Sequence, residues 1–203
     1  GRNGILDMEF INTLYGPIFA ANDIDMNITL ADFKAVTGVD LFIYATVFHT
    51  LEICEFSAEA TPNVRVLDAV YVSSSLPILF VPMKIDGVVY MDGFLYLDYP
   101  IVKCLEKGCD PATVLGIKKS IALKPYEYDE SMNMFDYLMQ LVNSGFTKTQ
   151  LTYYPGIEKV KEIVVTSNPG DMSKIFDLAT SKDIRILFIQ RGVDDVLLVH
   201  SHI

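Results

Sequence analysis

The chain has 203 residues, of which 51 % are hydrophobic, and a formal net charge of −10 at pH 7. This length allows one sizeable core and favours a single domain over residues 1–203. The acidic balance argues against a nucleic-acid partner, because phosphate binding depends on clustered Lys and Arg. It also gives no long-range attraction to anionic lipids, so any membrane contact would be apolar and local.

Two further global features concern redox chemistry and location. The three cysteines, Cys54, Cys104 and Cys109, indicate neither a disulfide framework nor a zinc site, and reduced, buried thiols are the simplest interpretation. No apolar run is long enough to span a bilayer, and no signal peptide is visible. We expect a cytoplasmic protein, with peripheral membrane contact as the open alternative. Because the chain starts at Gly1 and not at Met, we also expect it to be trimmed.

Capping signals predict two helices near the start of the chain. Asp7 is suited to cap a helix over residues 8–19, where apolar residues recur at helical spacing. Thr29, with Asp32 three residues later, predicts a second helix start. Gly38 predicts the end of that helix.

The next segment contains three strand signals and one helix. The β-branched and aromatic stretch over residues 39–48 predicts a central strand buried on both faces, with residues 52–56 as its partner. A helix is predicted over residues 65–72. Strands over residues 79–85 and 88–91 are joined by Asp86-Gly87, which is typical of a type I′ hairpin turn.

The second half continues the alternation of helices and strands. Predicted helices follow Pro100 up to Gly108, cover residues 131–151, and begin after a cap at Ser181. Predicted strands cover residues 114–123 and 162–166. This alternation predicts an α/β layered fold.

An ordered series of motifs resembles the patatin-like phospholipase family. The core of the series is a serine-rich turn, a Phe-x-Pro, a hairpin, an Asp-Gly after an aromatic residue, and a proline-started helix. Further matching segments extend the resemblance over nearly the whole chain. The matching segments are Gly4-Ile5-Leu6-Asp7, Tyr44-Ala45-Thr46, Ser73-Ser74-Ser75-Leu76-Pro77, Phe80-Val81-Pro82, Asp86-Gly87, Tyr90-Met91-Asp92-Gly93, Pro100, Phe176-Asp177 and a helix end over residues 187–192.

Three departures accompany the resemblance. Phe94 stands where the family usually has Gly or Ala, and Tyr99 where an Asn commonly precedes the proline. The family's nucleophile motif, Gly-x-Ser-x-Gly, does not occur in the 203 residues, nor does a Gly-rich oxyanion loop. The resemblance therefore implies a partial patatin-like domain: an α/β/α fold with a mixed, largely parallel central sheet, lacking its N-terminal βαβ unit, oxyanion loop and nucleophile helix.

What the resemblance implies about activity is hydrolysis of acyl lipids or phospholipids by a Ser-Asp dyad. Asp92 is the implied dyad carboxylate, and the implied chemistry needs no cofactor or metal. The chain alone is then expected to be inactive. The alternative, from another class of protein, is a non-catalytic lipid-binding or interaction module.

Asp92 has a competing structural interpretation, because Asp-Gly is also a common turn sequence. The sequence offers an internal comparison, since Asp86-Gly87 already supplies the hairpin turn. Asp92-Gly93 follows the returning strand, where loop residues commonly reach an active site. With the resemblance added, we expect the catalytic role for Asp92.

Other residues with reactive side chains are expected to be structural. The serines 73–75 lack elbow glycines and suit a helix-ending turn, and His49 suits a strand end. His200 and His202 are too few to hold a metal. A group of aromatic and Met residues would form either a lipid-facing patch or part of an ordinary core, and we favour core packing. That group consists of Tyr126, Tyr128, Met132, Met134, Phe135, Tyr137 and Met139.

Overall fold

The computed structural model describes residues 4–97, 99–121, 132–134, 137–138, 157–167 and 181–200. The chain divides into two compact units, residues 1–100 and 101–203, and each is described by itself. A single domain over residues 1–203 stays a prediction.

Three helices of the first unit begin and end close to the predicted positions. They are α1 (Met8–Ala21), α2 (Leu30–Thr37) and α3 (Val66–Ser73). Asp7 caps α1 by accepting from the backbone N–H of Glu9, and Thr29 caps α2 by accepting from that of Asp32. Gly38 ends α2 with a φ of 72°, in the left-handed region that favours glycine.

Four strands form the sheet of the first unit, in the order β2-β1-β4-β3. They are β1 (Phe42–Val47), β2 (Ile53–Ser57), β3 (Lys84–Ile85) and β4 (Val88–Asp92), and all three pairings are antiparallel. The central position predicted for the first strand is confirmed, although β1 is shorter than residues 39–48. Its middle residues, Tyr44, Ala45 and Thr46, are buried, and α3 packs against β1 and β4.

The β3–β4 hairpin has the predicted turn but a much shorter first strand. Asp86 and Gly87 both have positive φ, 51° and 81°, as a type I′ turn requires. The strand predicted over residues 79–85 is wrong for residues 79–83, because β3 begins only at Lys84. Ile78 adopts a φ of 76°, which breaks an extended path, and Pro82 has no N–H to donate to a ladder. This segment makes only an isolated parallel bridge, between Phe80 and Leu6.

Among its described residues, the second unit has a parallel strand pair and helices on both sides of it in the sequence. The main elements are α4 (Ile101–Glu106), β5 (Leu115–Ile121), β6 (Lys161–Ser167) and α5 (Lys182–His200). β5 and β6 pair in parallel from Leu115↔Lys161 to Ile121↔Ser167. α5 continues through Gly192, so the helix end expected there is wrong. Most of the predicted helix over residues 131–151, and Phe176-Asp177, lie outside the described residues.

The α/β class predicted from the sequence is confirmed, with helices and both kinds of strand pairing present. In the described residues, the four-stranded sheet is antiparallel and the parallel pair is β5 with β6. No helix within this part of the chain is both long and apolar enough to cross a membrane.

Candidate active site

Asp92 lies at the end of β4, at the point where the strand passes into a loop. It pairs with Ala45 of the central strand β1, and its side chain is half-buried. A short 3-10 helix, Gly93–Leu95, follows directly. The residue expected to be catalytic is therefore a strand-end residue on a turn anchored to a buried strand.

The carboxylate of Asp92 caps the 3-10 helix that it precedes. Its Oδ1 accepts a hydrogen bond from the backbone N–H of Phe94 at 2.8 Å. This bond fixes the side chain relative to its own loop. Because Phe94 donates through its backbone, the departure from the family's Gly or Ala at this position does not remove the contact.

Backbone contacts from two other elements hold Asp92 in place. Its N–H donates to the carbonyl of Ser75 at 3.0 Å, and its carbonyl accepts from the Thr46 hydroxyl at 3.1 Å. Ser75 and Thr46 are both buried. Sequence reasoning did not identify these two positioning residues, although each belongs to a segment that carried the resemblance.

Gly93 allows the loop to approach the central strand closely. A Cβ added there would lie 2.5 Å from the carbonyl oxygen of Tyr44 and 3.1 Å from its carbonyl carbon. Backbone atoms at these distances exclude any side chain. The glycine after Asp92 is therefore required by packing.

The serines 73–75 end helix α3, as the sequence predicts. Ser73 Oγ donates to the Tyr44 carbonyl at 2.7 Å, and Ser75 Oγ to the Tyr71 carbonyl at 2.7 Å. The N–H of Ser74 bonds to the carbonyls of Val70 and Tyr71. The Ser73 and Ser75 hydroxyls therefore donate to backbone oxygens.

Cys54 on β2 and Tyr90 on β4, the two strands that flank β1, are titratable groups whose side chains interact. Burial raises the pKa of the Cys54 thiol above its ordinary value of 9.0, against the opposing effect of the interaction with Tyr90. Burial also raises the pKa of Tyr90 above 10.0. Both groups are protonated at neutral pH, and Cys54 is thus a poor nucleophile.

The remaining candidates fall into three groups. His49 is exposed in the turn after β1, with its ring edge-on to that of Phe48, which fits a strand-end residue. His202 and the side chain of His200 lie outside the described residues. In the aromatic and Met group, Met134 is 75 % and Tyr137 is 41 % exposed, so core packing is wrong for these two residues.

The other described member of that group, Met132, is half-buried, and the rest of it lies outside the described residues. None of the three thiols is in a disulfide, as expected, but the burial expected for them is wrong, because Cys109 is exposed and Cys54 and Cys104 are only half-buried. In the residues that the structure describes, no three His, Cys, Asp or Glu are grouped so that they could hold a metal ion.

Comparison with known proteins connects this geometry to a family. The comparison with curated proteins gave no match. The family model for patatin-like phospholipase matches residues 1–104, a stretch that contains α1, the four-stranded sheet, the serine turn and Asp92. The match is shorter than the resemblance over nearly the whole chain that the motifs suggested. It nevertheless covers half of the sequence, and the chain belongs to the patatin-like phospholipase family.

Proposed function

We propose that the chain is part of a lipid acyl hydrolase of the phospholipase A type, in which Asp92 is the carboxylate of a Ser-Asp dyad. The serine in this proposal comes from outside the 203 residues, since these contain no Gly-x-Ser-x-Gly sequence. Family membership supports an acyl lipid as substrate. The observation that carries the proposal is the fixed, half-buried carboxylate at the end of β4.

The proposed reaction divides ester hydrolysis into two steps. The serine Oγ attacks the ester carbonyl carbon while Asp92 accepts the hydroxyl proton, and backbone amides stabilise the resulting oxyanion. The tetrahedral intermediate collapses and expels the alcohol, which takes up that proton. Water, losing a proton to Asp92, then attacks the acyl-enzyme, and the serine oxygen takes up that proton as it leaves and the fatty acid is released.

The contacts of Asp92 suit a proton acceptor that must keep its orientation. Two backbone hydrogen bonds, to Ser75 and from Thr46, fix the main chain of the residue, and the Phe94 N–H fixes one carboxylate oxygen. A positioned base contributes more than a mobile one, because its orientation is settled before the reaction.

The experiment compares two aspartates that are both followed by glycine. In the chain extended by the residues encoded upstream, Asp92→Asn should lower kcat for phosphatidylcholine or a short-chain ester by about 10²–10⁴-fold, the contribution of a positioned base. The amide oxygen of the substituted side chain still accepts from the Phe94 N–H, so the fold is retained. Asp86→Asn is the matched control and should stay within about twofold of wild type, because Asn tolerates the left-handed conformation of Asp86.

Two results would contradict the proposal. If the Asp92→Asn variant of the extended chain kept the wild-type kcat, Asp92 would have no role in the chemistry. The 203-residue chain alone is expected to show no turnover above background, because binding without a nucleophile gives little catalysis. Robust hydrolysis by that chain would show that its nucleophile lies within these residues.

A second candidate is a non-catalytic module that binds lipid or another protein, favoured by the lack of a nucleophile motif in these residues. Flotation with phosphatidylcholine vesicles separates the two candidates. The module predicts vesicle binding without fatty-acid release by the extended chain. For either protein we propose a cytoplasmic location, with peripheral contact with lipid surfaces as the open alternative.

A further inference from the structure

The C-terminal end of α4 forms a complete Schellman motif. Gly108 has a φ of 85°, and its N–H donates to the carbonyl of Leu105 at 3.0 Å. The N–H of Cys109 donates to the carbonyl of Cys104 at 3.4 Å. These are the two hydrogen bonds that define the motif, with the left-handed glycine between them.

The motif brings together the two positions that hold cysteines. In a Schellman helix end, the residue after the left-handed glycine commonly contacts the residue five positions earlier, and these residues are Cys109 and Cys104. Consistent with this, the pKa of the Cys104 thiol is raised above 9.0 first by burial and then by its interaction with Cys109.

The two thiols differ in their access to solvent. Cys109 is exposed, Cys104 is half-buried, and both are free. An exposed thiol is open to reagents in solution, whereas a half-buried neighbour reacts more readily with a partner already beside it. An accessible thiol with a second cysteine beside it to resolve the first oxidation product is a recurring arrangement at redox-sensitive sites.

We propose that Cys104 and Cys109 form a reversible oxidation site, at which a low-molecular-weight disulfide such as oxidised glutathione converts the two thiols into an intramolecular disulfide. The site lies at the end of α4, and its thiols take no part in the proposed hydrolase reaction. It also differs from the expectation that all three cysteines are reduced, buried thiols.

The reaction consists of two thiol–disulfide exchanges. The Cys109 thiolate attacks one sulfur of oxidised glutathione, forms a mixed disulfide and releases the first glutathione thiolate. The Cys104 thiolate then attacks the Cys109 sulfur and displaces the second. The protein loses two protons and two electrons, and one oxidised glutathione becomes two reduced glutathione molecules.

Tryptic peptide mapping of the complete 203-residue chain tests the proposal directly. Lys103, Lys107 and Lys118 flank the two cysteines, so trypsin places Cys104 and Cys109 in separate peptides, residues 104–107 and 108–118. After incubation of the native chain with oxidised glutathione and blocking of free thiols, the two peptides should appear as one disulfide-linked species. Excess reduced glutathione should separate them.

Three control measurements test the role of the helix end and of the third cysteine, Cys54. The equilibrium constant of disulfide formation, measured against glutathione redox buffers, should fall about tenfold or more in urea, where the loop must close without help from the fold. Gly108→Ala should lower it about fivefold in the native chain, because an L residue resists the left-handed conformation. Cys54→Ser should leave it unchanged.

Three outcomes would overturn the proposal. The first is a stable mixed disulfide on Cys109 with no linked peptides. The second is linkage of either cysteine to Cys54 in place of the 104–109 pair. The third is an equilibrium constant that is the same in native buffer, in urea and in Gly108→Ala, which would show that the fold does not bring the thiols together.

Discussion

The substitution Gly93→Ala tests how the loop after Asp92 is held against the central strand. The new Cβ would lie 2.5 Å from the Tyr44 carbonyl oxygen, whereas heavy atoms pack best at about 3.5–4.0 Å. Loop and strand must therefore separate by about 1 Å. Tyr44 and Ala45, 7 % and 0 % exposed, belong to a strand paired on both sides, so the strand cannot yield.

We expect Gly93→Ala to lower the free energy of unfolding by about 3 kcal/mol, near the upper end of the usual cost of overpacking. With a urea m value of about 2 kcal/mol per M, the unfolding midpoint falls by about 1.5 M. Urea titration followed by circular dichroism measures this change. In the extended chain, displacement of Asp92 should also lower kcat.

Two control alanine substitutions separate the steric clash at position 93 from the other effects of replacing a glycine. Gly38 and Gly192 have nothing within 4 Å of an added Cβ. Gly38→Ala costs about 1–2 kcal/mol through its left-handed backbone alone, whereas Gly192→Ala, inside α5, stabilises by about 1 kcal/mol. Gly93 has no positive φ. If Gly93→Ala costs less than Gly38→Ala, the close approach to Tyr44 is not a constraint and the reasoning fails.

Two further predictions concern stability. Thr29→Ala removes the cap of α2 and should cost about 1 kcal/mol, whereas Thr13→Ala, at an exposed position within α1, should be neutral or slightly stabilising; urea titration of both variants checks the difference in sign. Tyr71 is buried and donates to the Val81 carbonyl, and burial, then the nearby Asp7, raises its pKa above 10.0.

Tyr71 therefore ionises at a lower pH in the unfolded chain than in the folded protein. The stability that this residue contributes is complete below pH 10.0 and is lost as the pH rises through the folded-state pKa. Tyr71→Phe should cost about 1 kcal/mol at pH 8, and its deficit relative to wild type should shrink above pH 10. A constant deficit across that range, in unfolding titrations at both pH values, would contradict this assignment.

Local sequence signals predicted the elements that depend on local physics. The caps at Asp7 and Thr29, the end at Gly38 and the turn at Asp86-Gly87 each use a side chain or glycine that acts within a few residues. The failure before Lys84 has a different origin. That segment contains apolar and aromatic residues, but its backbone bonds to residues before α1, a pairing that no local pattern specifies.

The same division applies to the candidate site. Asp92 was predicted from its position after a strand and from family motifs, and the structure places it at that strand end. Its positioning partner Thr46 is 46 residues away in sequence, and the constraint on Gly93 comes from the Tyr44 backbone. Such contacts follow from the pairing of β1 with β4, which a single sequence does not reveal.

The register of β4 also limits how the length of this protein can vary. Side chains alternate between the two faces of a strand, and Asp92 is held opposite Ala45 while Val89 is opposite Lys84. One residue inserted between Val89 and Asp92 would turn the carboxylate to the other face of the sheet, whereas two would restore it. Relatives that keep the carboxylate should therefore differ by even numbers of residues between Val89 and Asp92, or carry their insertions in the hairpin turn at Asp86-Gly87.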